Sequence, residues 1–92
     1  MSDDVCSSEL LIQNKKGLHA RAAASFVKCV EEFDAEVTVE RLGQAVNGCS
    51  IMGLMMLGAA CEAEIKIVCS GTDARKALDA LEKLINDKFN EN

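Results

Sequence analysis

His19 is the only histidine in the chain, with Gly17 two positions before it and Arg21 two positions after it. Small and β-branched residues recur at helical spacing directly behind it, which places the imidazole at the first turn of a helix. Amide groups there lack intrahelical acceptors, and the positive end of the helix dipole favours neutral imidazole, the nucleophilic form. A phosphoryl group on a ring nitrogen would accept hydrogen bonds from the backbone of Ala20 and Arg21. The Arg21 guanidinium would add a charge-assisted contact. The position therefore suits a histidine that carries phosphate. The plainer alternative is a surface histidine that merely starts a helix.

Charge placement supports the first reading. Residues 15–28 hold Lys15, Lys16, Arg21 and Lys28 and no acid, in a chain of ten basic and fifteen acidic residues with a net charge of −5. A basic island around the only histidine fits a docking face for anions or an acidic partner. Scattered solvated lysines are the competing reading. The acidic balance, the lack of Trp and Tyr, and only three Phe argue against nucleic-acid binding.

Other candidate motifs are weaker. Cys6, Cys29, Cys49, Cys61 and Cys69 are odd in number and contain no C-x-x-C pair, so neither a zinc site nor any other metal site is expected. Reduced thiols, each a small buried hydrophobe, in a cytoplasmic protein are the simplest expectation. Residues 43–50 nearly match a phosphate-binding loop, but Cys49 stands where its lysine belongs. Nothing resembling a signal peptide follows the acidic opening at Asp3 and Asp4. Residues 42–61 carry no charge, yet Gly43, Gly48, Gly53 and Gly58 break the stretch into short pieces, which argues against membrane insertion.

Stepping along the chain, the elements that must position His19 follow from periodicity. Residues 9–13 read as a strand, and the segment from Asn14 to Gly17 as a turn. Ala20, Ala23, Ala24, Val27 and Val30 mark a helix over 20–32. Residues 36–40 alternate as a half-buried strand and turn at Gly43 into a second strand at 44–47. Ser50 caps a short apolar helix over 50–57. Leu54 and Leu57 face inward there, while Ile51, Met52 and Met55 share another face, an adaptable surface for successive partners. Residues 62–69 form a strand. Residues 73–88 form an amphipathic helix, capped by Thr72, with Ala74, Ala77, Leu78, Leu81 and Ile85 on one stripe. Ninety-two residues make one domain, 1–92, with 1–8 frayed. The order β-α-β-β-α-β-α predicts an α+β open-faced β-sandwich: a four-stranded antiparallel sheet with three helices on one face.

Two separated stretches then carry a family resemblance. Gly17-Leu18-His19-Ala20-Arg21-Ala22-Ala23, followed by Ser50-Ile51-Met52-Gly53-Leu54-Met55-Met56-Leu57-Gly58, resembles HPr. HPr is the histidine phosphocarrier of the bacterial phosphoenolpyruvate-dependent phosphotransferase system. Residues 33–37 and the tail 88–92 also look like its nitrogen-regulatory branch, NPr. The resemblance implies that His19 takes phosphate on Nδ1 from phosphorylated enzyme I and passes it to an enzyme IIA protein. It implies that Arg21 holds the phosphoryl group and that Ser50 matches a serine modified by HPr kinase/phosphorylase in some bacteria. Ala24, Lys28, Ile51, Met52 and Met55 match the docking surface.

Such a protein is a cytoplasmic monomer without cofactor, a transiently phosphorylated relay rather than a self-contained catalyst. The resemblance is compatible with a final acceptor in sugar uptake or in the nitrogen-regulatory branch. Two positions depart from the family: Ala22 replaces the usual proline, and Cys49 replaces a basic residue often found before the serine. Two other functions compete with the relay. One is a regulatory module acting on a kinase or transcription factor through Ser50 or by docking. The other is a basic-patch binder of acidic metabolites.

Overall fold

The computed structural model describes residues 4–91. Its elements run β1 (Asp4–Leu11), α1 (Ala20–Val30), β2 (Glu36–Arg41), β3 (Gln44–Asn47), α2 (Ile51–Met56), β4 (Glu64–Gly71) and α3 (Ala74–Asn86), then a single turn at Lys88–Asn90. The four strands form one antiparallel sheet in the order β1-β4-β2-β3. This is the α+β open-faced sandwich that the element order predicts.

Burial explains the layering. β4 is paired on both sides, and Ile65, Ile67 and Cys69 point from it into the core. Val37 and Val39 do the same from β2. The stripe Ala74, Ala77, Leu78, Leu81 and Ile85 of α3 is buried as its spacing requires. Each large aliphatic side chain so placed contributes about 1.5–3 kcal/mol. On the outer face, Lys66 of β4 lies opposite Glu9 on one side and Glu40 on the other, a cross-strand charge row suited to water.

Several expectations need correction. β1 begins at Asp4, so residues 4–8 are not frayed. They pair with Ile67–Gly71, and Cys6 and Ser8 are half-buried. Residues 1–3 lie outside the described residues. The buried stripe of α1 is Ala22, Ala23, Phe26, Val27 and Val30, while Ala20 and Ala24 are exposed. Fully buried Phe26 sets that rotation, because the largest apolar side chain on the helix gains most from the core. Thr72 does not cap α3. Asp73 occupies that position, and its Oδ2 accepts from the Asp34 amide at 2.8 Å, tying two loops together. Cys49 and Cys61 are exposed rather than buried. Burial pushes the Cys69 thiol up to about 11, which keeps it protonated and inert.

Residues 43–50 form a hairpin strand and a helix start rather than a phosphate loop. Leu42 and Gly43 both have positive φ (51° and 84°), the geometry of a two-residue hairpin turn.

Candidate functional site

The loop before α1 is fixed from below. The amide of Gly17 donates to Asn14 O at 3.1 Å, and that of Leu18 donates to Ala59 O at 2.9 Å. Gly17 has φ +65°, and a Cβ there would lie 2.3 Å from Ala59 O. Only glycine lets the loop approach this closely. His19 follows as the N-cap of α1, in extended conformation, with no hydrogen bond from its side chain to its own helix. The first intrahelical bond runs from the Ala23 amide to His19 O at 2.8 Å. The amides of Ala20, Arg21 and Ala22 have no acceptor among the described residues. Ala22 restores an N–H that the usual proline lacks, but the residue is fully buried, which leaves Ala20 and Arg21 as the exposed donors.

The imidazole is partly exposed, with 27% of its side chain accessible. Its Nε2 lies 2.6 Å from Oε2 of Glu91. The other oxygen, Oε1, accepts from Asn14 Nδ2 at 3.1 Å, and the same Nδ2 donates to Gly17 O at 2.8 Å. The hydrogen bond from His19 holds the Glu91 carboxyl below the usual carboxylate range. Partial burial opposes this, while Asn14 and the charges of His19 and Lys16 add to it. Glu91 is therefore an anion that can only accept. An anionic Glu91 accepts from Nε2–H, and Nδ1 has no partner among the described residues.

Glu91 is delivered by an unusual turn. Lys88, Phe89 and Asn90 all have left-handed φ (57°, 54° and 61°). For residues with a Cβ this costs roughly 1–2 kcal/mol each. Phe89, 6% exposed, offsets about 1.5–3 kcal/mol by burial. The charged hydrogen bonds of Glu91 offset about as much again.

An open cleft of about 870 Å³ gathers His19, Ala20 and Arg21 with Lys15, Lys16, Phe89 and Glu91. Arg21 is exposed and makes no hydrogen bond or ion pair among the described residues. Three cations thus line the cleft of a histidine whose Nδ1 has no partner among the described residues, a setting for a dianion. The basic island is not free of acid, because the chain folds back and inserts Glu91 into it.

Ser50 stands apart, half-exposed, with its Oγ accepting from the Gly53 amide at 2.9 Å. Behind it, Leu54 and Leu57 are buried, and Ile51, Met52, Met55 and Met56 are 39%, 68%, 40% and 68% exposed. α2 packs against α1, on which Ala24 and Lys28 are exposed. Met56 extends the patch beyond the residues expected from sequence. Asn14, Phe89 and Glu91 were also missed. The Asn14–Glu91 bond spans 77 positions, and no local pattern signals it.

Residues 6–87 match the family model PTS-HPr, described as the PTS HPr component phosphorylation site. Phosphocarrier protein HPr of Neisseria meningitidis serogroup B is 48% identical over 80 residues, covering 87% of this chain and 90% of that protein. Phosphocarrier protein NPr of Shewanella violacea is 40% identical over 83 residues, covering 90% and 91%. Among solved structures, HPr-C-His from Thermoanaerobacter tengcongensis superposes with a TM-score of 0.91 at 40% identity, covering 95% of this chain and 98% of that one.

Proposed function

The chain belongs to the HPr family of phosphocarriers of the phosphotransferase system, and we propose that it accepts a phosphoryl group on Nδ1 of His19 from phosphorylated enzyme I and passes it to an enzyme IIA protein. One observation carries this reading: Nε2 is held by an anionic carboxylate, so Nδ1 remains nucleophilic at a helix start with free amides. Phosphoryl transfer mainly needs positioning and charge neutralisation. The amides of Ala20 and Arg21 supply donors, and the Arg21 guanidinium supplies a movable charge. Partners supply the rest, which makes the protein a relay rather than a self-contained catalyst.

Docking falls to the exposed face of Ile51, Met52 and Met55 with Ala24 and Lys28. Its unbranched, soft side chains fit different partners in turn. Such contacts are small, which suits rapid release. Ser50 is the proposed regulatory phosphorylation site, for an HPr kinase/phosphorylase where one is present. A pure regulator would have no use for the free amides beside His19, which favours the carrier. Relatives bear both the HPr and NPr names, and the proposed acceptor is an enzyme IIA of sugar uptake or of nitrogen regulation.

The described cysteines are unpaired, and no described helix is long and apolar enough to cross a membrane. Unpaired thiols fit the proposed cytoplasmic location, and the carrier is proposed to act as a monomer.

Incubation with phosphoenolpyruvate and enzyme I is expected to add about 80 Da, as an acid-labile, base-stable adduct. His19→Ala abolishes it. Labelling that persists in that variant refutes the assignment.

A further inference from the structure

We propose that Glu91, held by the buried amide of Asn14, is the positioning residue for His19: it fixes the ring with the proton on Nε2 and neutralises the charge the ring gains as Nδ1 takes the phosphoryl group. This deepens the carrier reading and rests on it.

The contacts form a chain. His19 Nε2–H donates to Oε2 at 2.6 Å, and Asn14 Nδ2 donates to Oε1 at 3.1 Å and to Gly17 O at 2.8 Å. Asn14 is 1% exposed, and its Oδ1 has no partner among the described residues. A buried amide that leaves one atom unsatisfied is costly. Its remaining atoms are spent on the histidine loop and on the carboxylate. The carboxylate itself arrives on three consecutive left-handed residues anchored by buried Phe89. Local strain held in place by packing concentrates at working sites.

The chemistry follows from the proton's location. The Nδ1 lone pair attacks phosphorus. The Nδ1–P bond forms, and the bond from phosphorus to the donor breaks, its electron pair leaving with the donor. No proton moves. The ring keeps Nε2–H and becomes cationic beside the Glu91 anion. Onward transfer reverses this: the Nδ1–P electron pair returns to the ring, which is again neutral. Carboxylates that hold a histidine tautomer do comparable work in hydrolytic triads.

The test uses the full chain with phosphorylated enzyme I as donor, and reads two quantities. One is the initial rate of acid-labile phosphate appearing on the protein. The other is the tautomer of the neutral His19 ring, read from ¹⁵N chemical shifts. Glu91→Ala is expected to slow transfer at least about tenfold and to give a mixture of ring tautomers. Glu91→Gln keeps an acceptor but no charge, so it retains the Nε2–H tautomer and falls between. If Glu91→Ala leaves either the rate within about twofold or the tautomer unchanged, the proposal is overturned. A circular-dichroism melt of each variant checks that the fold is kept. The carrier reading fails separately, if the parent protein acquires no adduct or His19→Ala still does.

Discussion

The starts of α1 and α2 are built from the same kind of position and used oppositely. Both N-cap residues have extended backbone. At α2, Ser50 turns its hydroxyl back and accepts from the Gly53 amide. At α1, His19 makes no such bond and directs Nε2 to the far end of the chain. The first helix start is left polar and unsatisfied, and the second satisfies itself. A cap contributes typically about 1 kcal/mol to stability. α1 forgoes that contribution, and its amides stay available to an incoming anion. The contrast also bears on Ser50. A phosphoryl group placed there must replace an existing cap, whereas one on His19 meets donors with nothing to displace.

The largest expected effect comes from breaking the support under α1. Gly17→Ala would put a Cβ 2.3 Å from Ala59 O and 2.8 Å from Ala60 Cα, both backbone atoms, at φ +65°. Neither can move aside cheaply. A loss of more than about 3 kcal/mol is expected, with slower labelling of His19. Gly58 has the same φ but open space around it, so Gly58→Ala costs only the backbone preference, about 1 kcal/mol. Thermal unfolding of the two variants checks this. Equal losses would show that φ, not the close approach to Ala59, dictates glycine at position 17.

A smaller effect is expected at the other helix start. Ser50→Ala removes the bond to the Gly53 amide and is expected to cost about 1 kcal/mol. That lowers the melting temperature by roughly 4–8 °C for a domain of this size. The rate of His19 phosphorylation by enzyme I should stay unchanged, because no hydrogen bond among the described residues joins the two caps. A fall in that rate with no loss of stability would mean that Ser50 serves partner docking rather than its own helix.

Most of this architecture is legible in the sequence because it rests on local periodicity. The alternation at Val37 and Val39 and the α3 stripe are each complete within one element. Gly17, His19 and Arg21 are close in sequence, and so are Ser50 and the apolar run after it. What was not legible depends on the chain meeting itself. Phe26 rotates α1 because of what the sheet offers it. Asp73 serves Asp34 rather than its own helix. Asn14 reads as a turn residue, and only the fold shows that its amide reaches a carboxylate from the opposite terminus. The left-handed turn at residues 88–90 has no glycine to announce it. Its anchor, Phe89, is one apolar residue in a polar tail.

The smallest effect is one of pH, and it separates the two helix starts by chemistry. The bond from His19 holds the Glu91 carboxyl below its ordinary range. A carboxylate whose folded value is lowered stabilises the fold fully above its unfolded value. That contribution fades as pH falls through the lower folded value, and it is gone once both states are protonated. The groups that set this balance are His19, Asn14 and Lys16. The Ser50 cap contains no group that titrates in this range. Parent protein and Glu91→Gln should therefore differ in stability at about pH 5, and converge below it. Parent protein and Ser50→Ala should stay equally far apart throughout. Urea unfolding across the acid range measures both differences. If the Glu91→Gln difference stayed flat while the carboxyl visibly titrated, the bond at His19 would be one the folded state does not need, and the two helix starts would differ in function but not in how they are held.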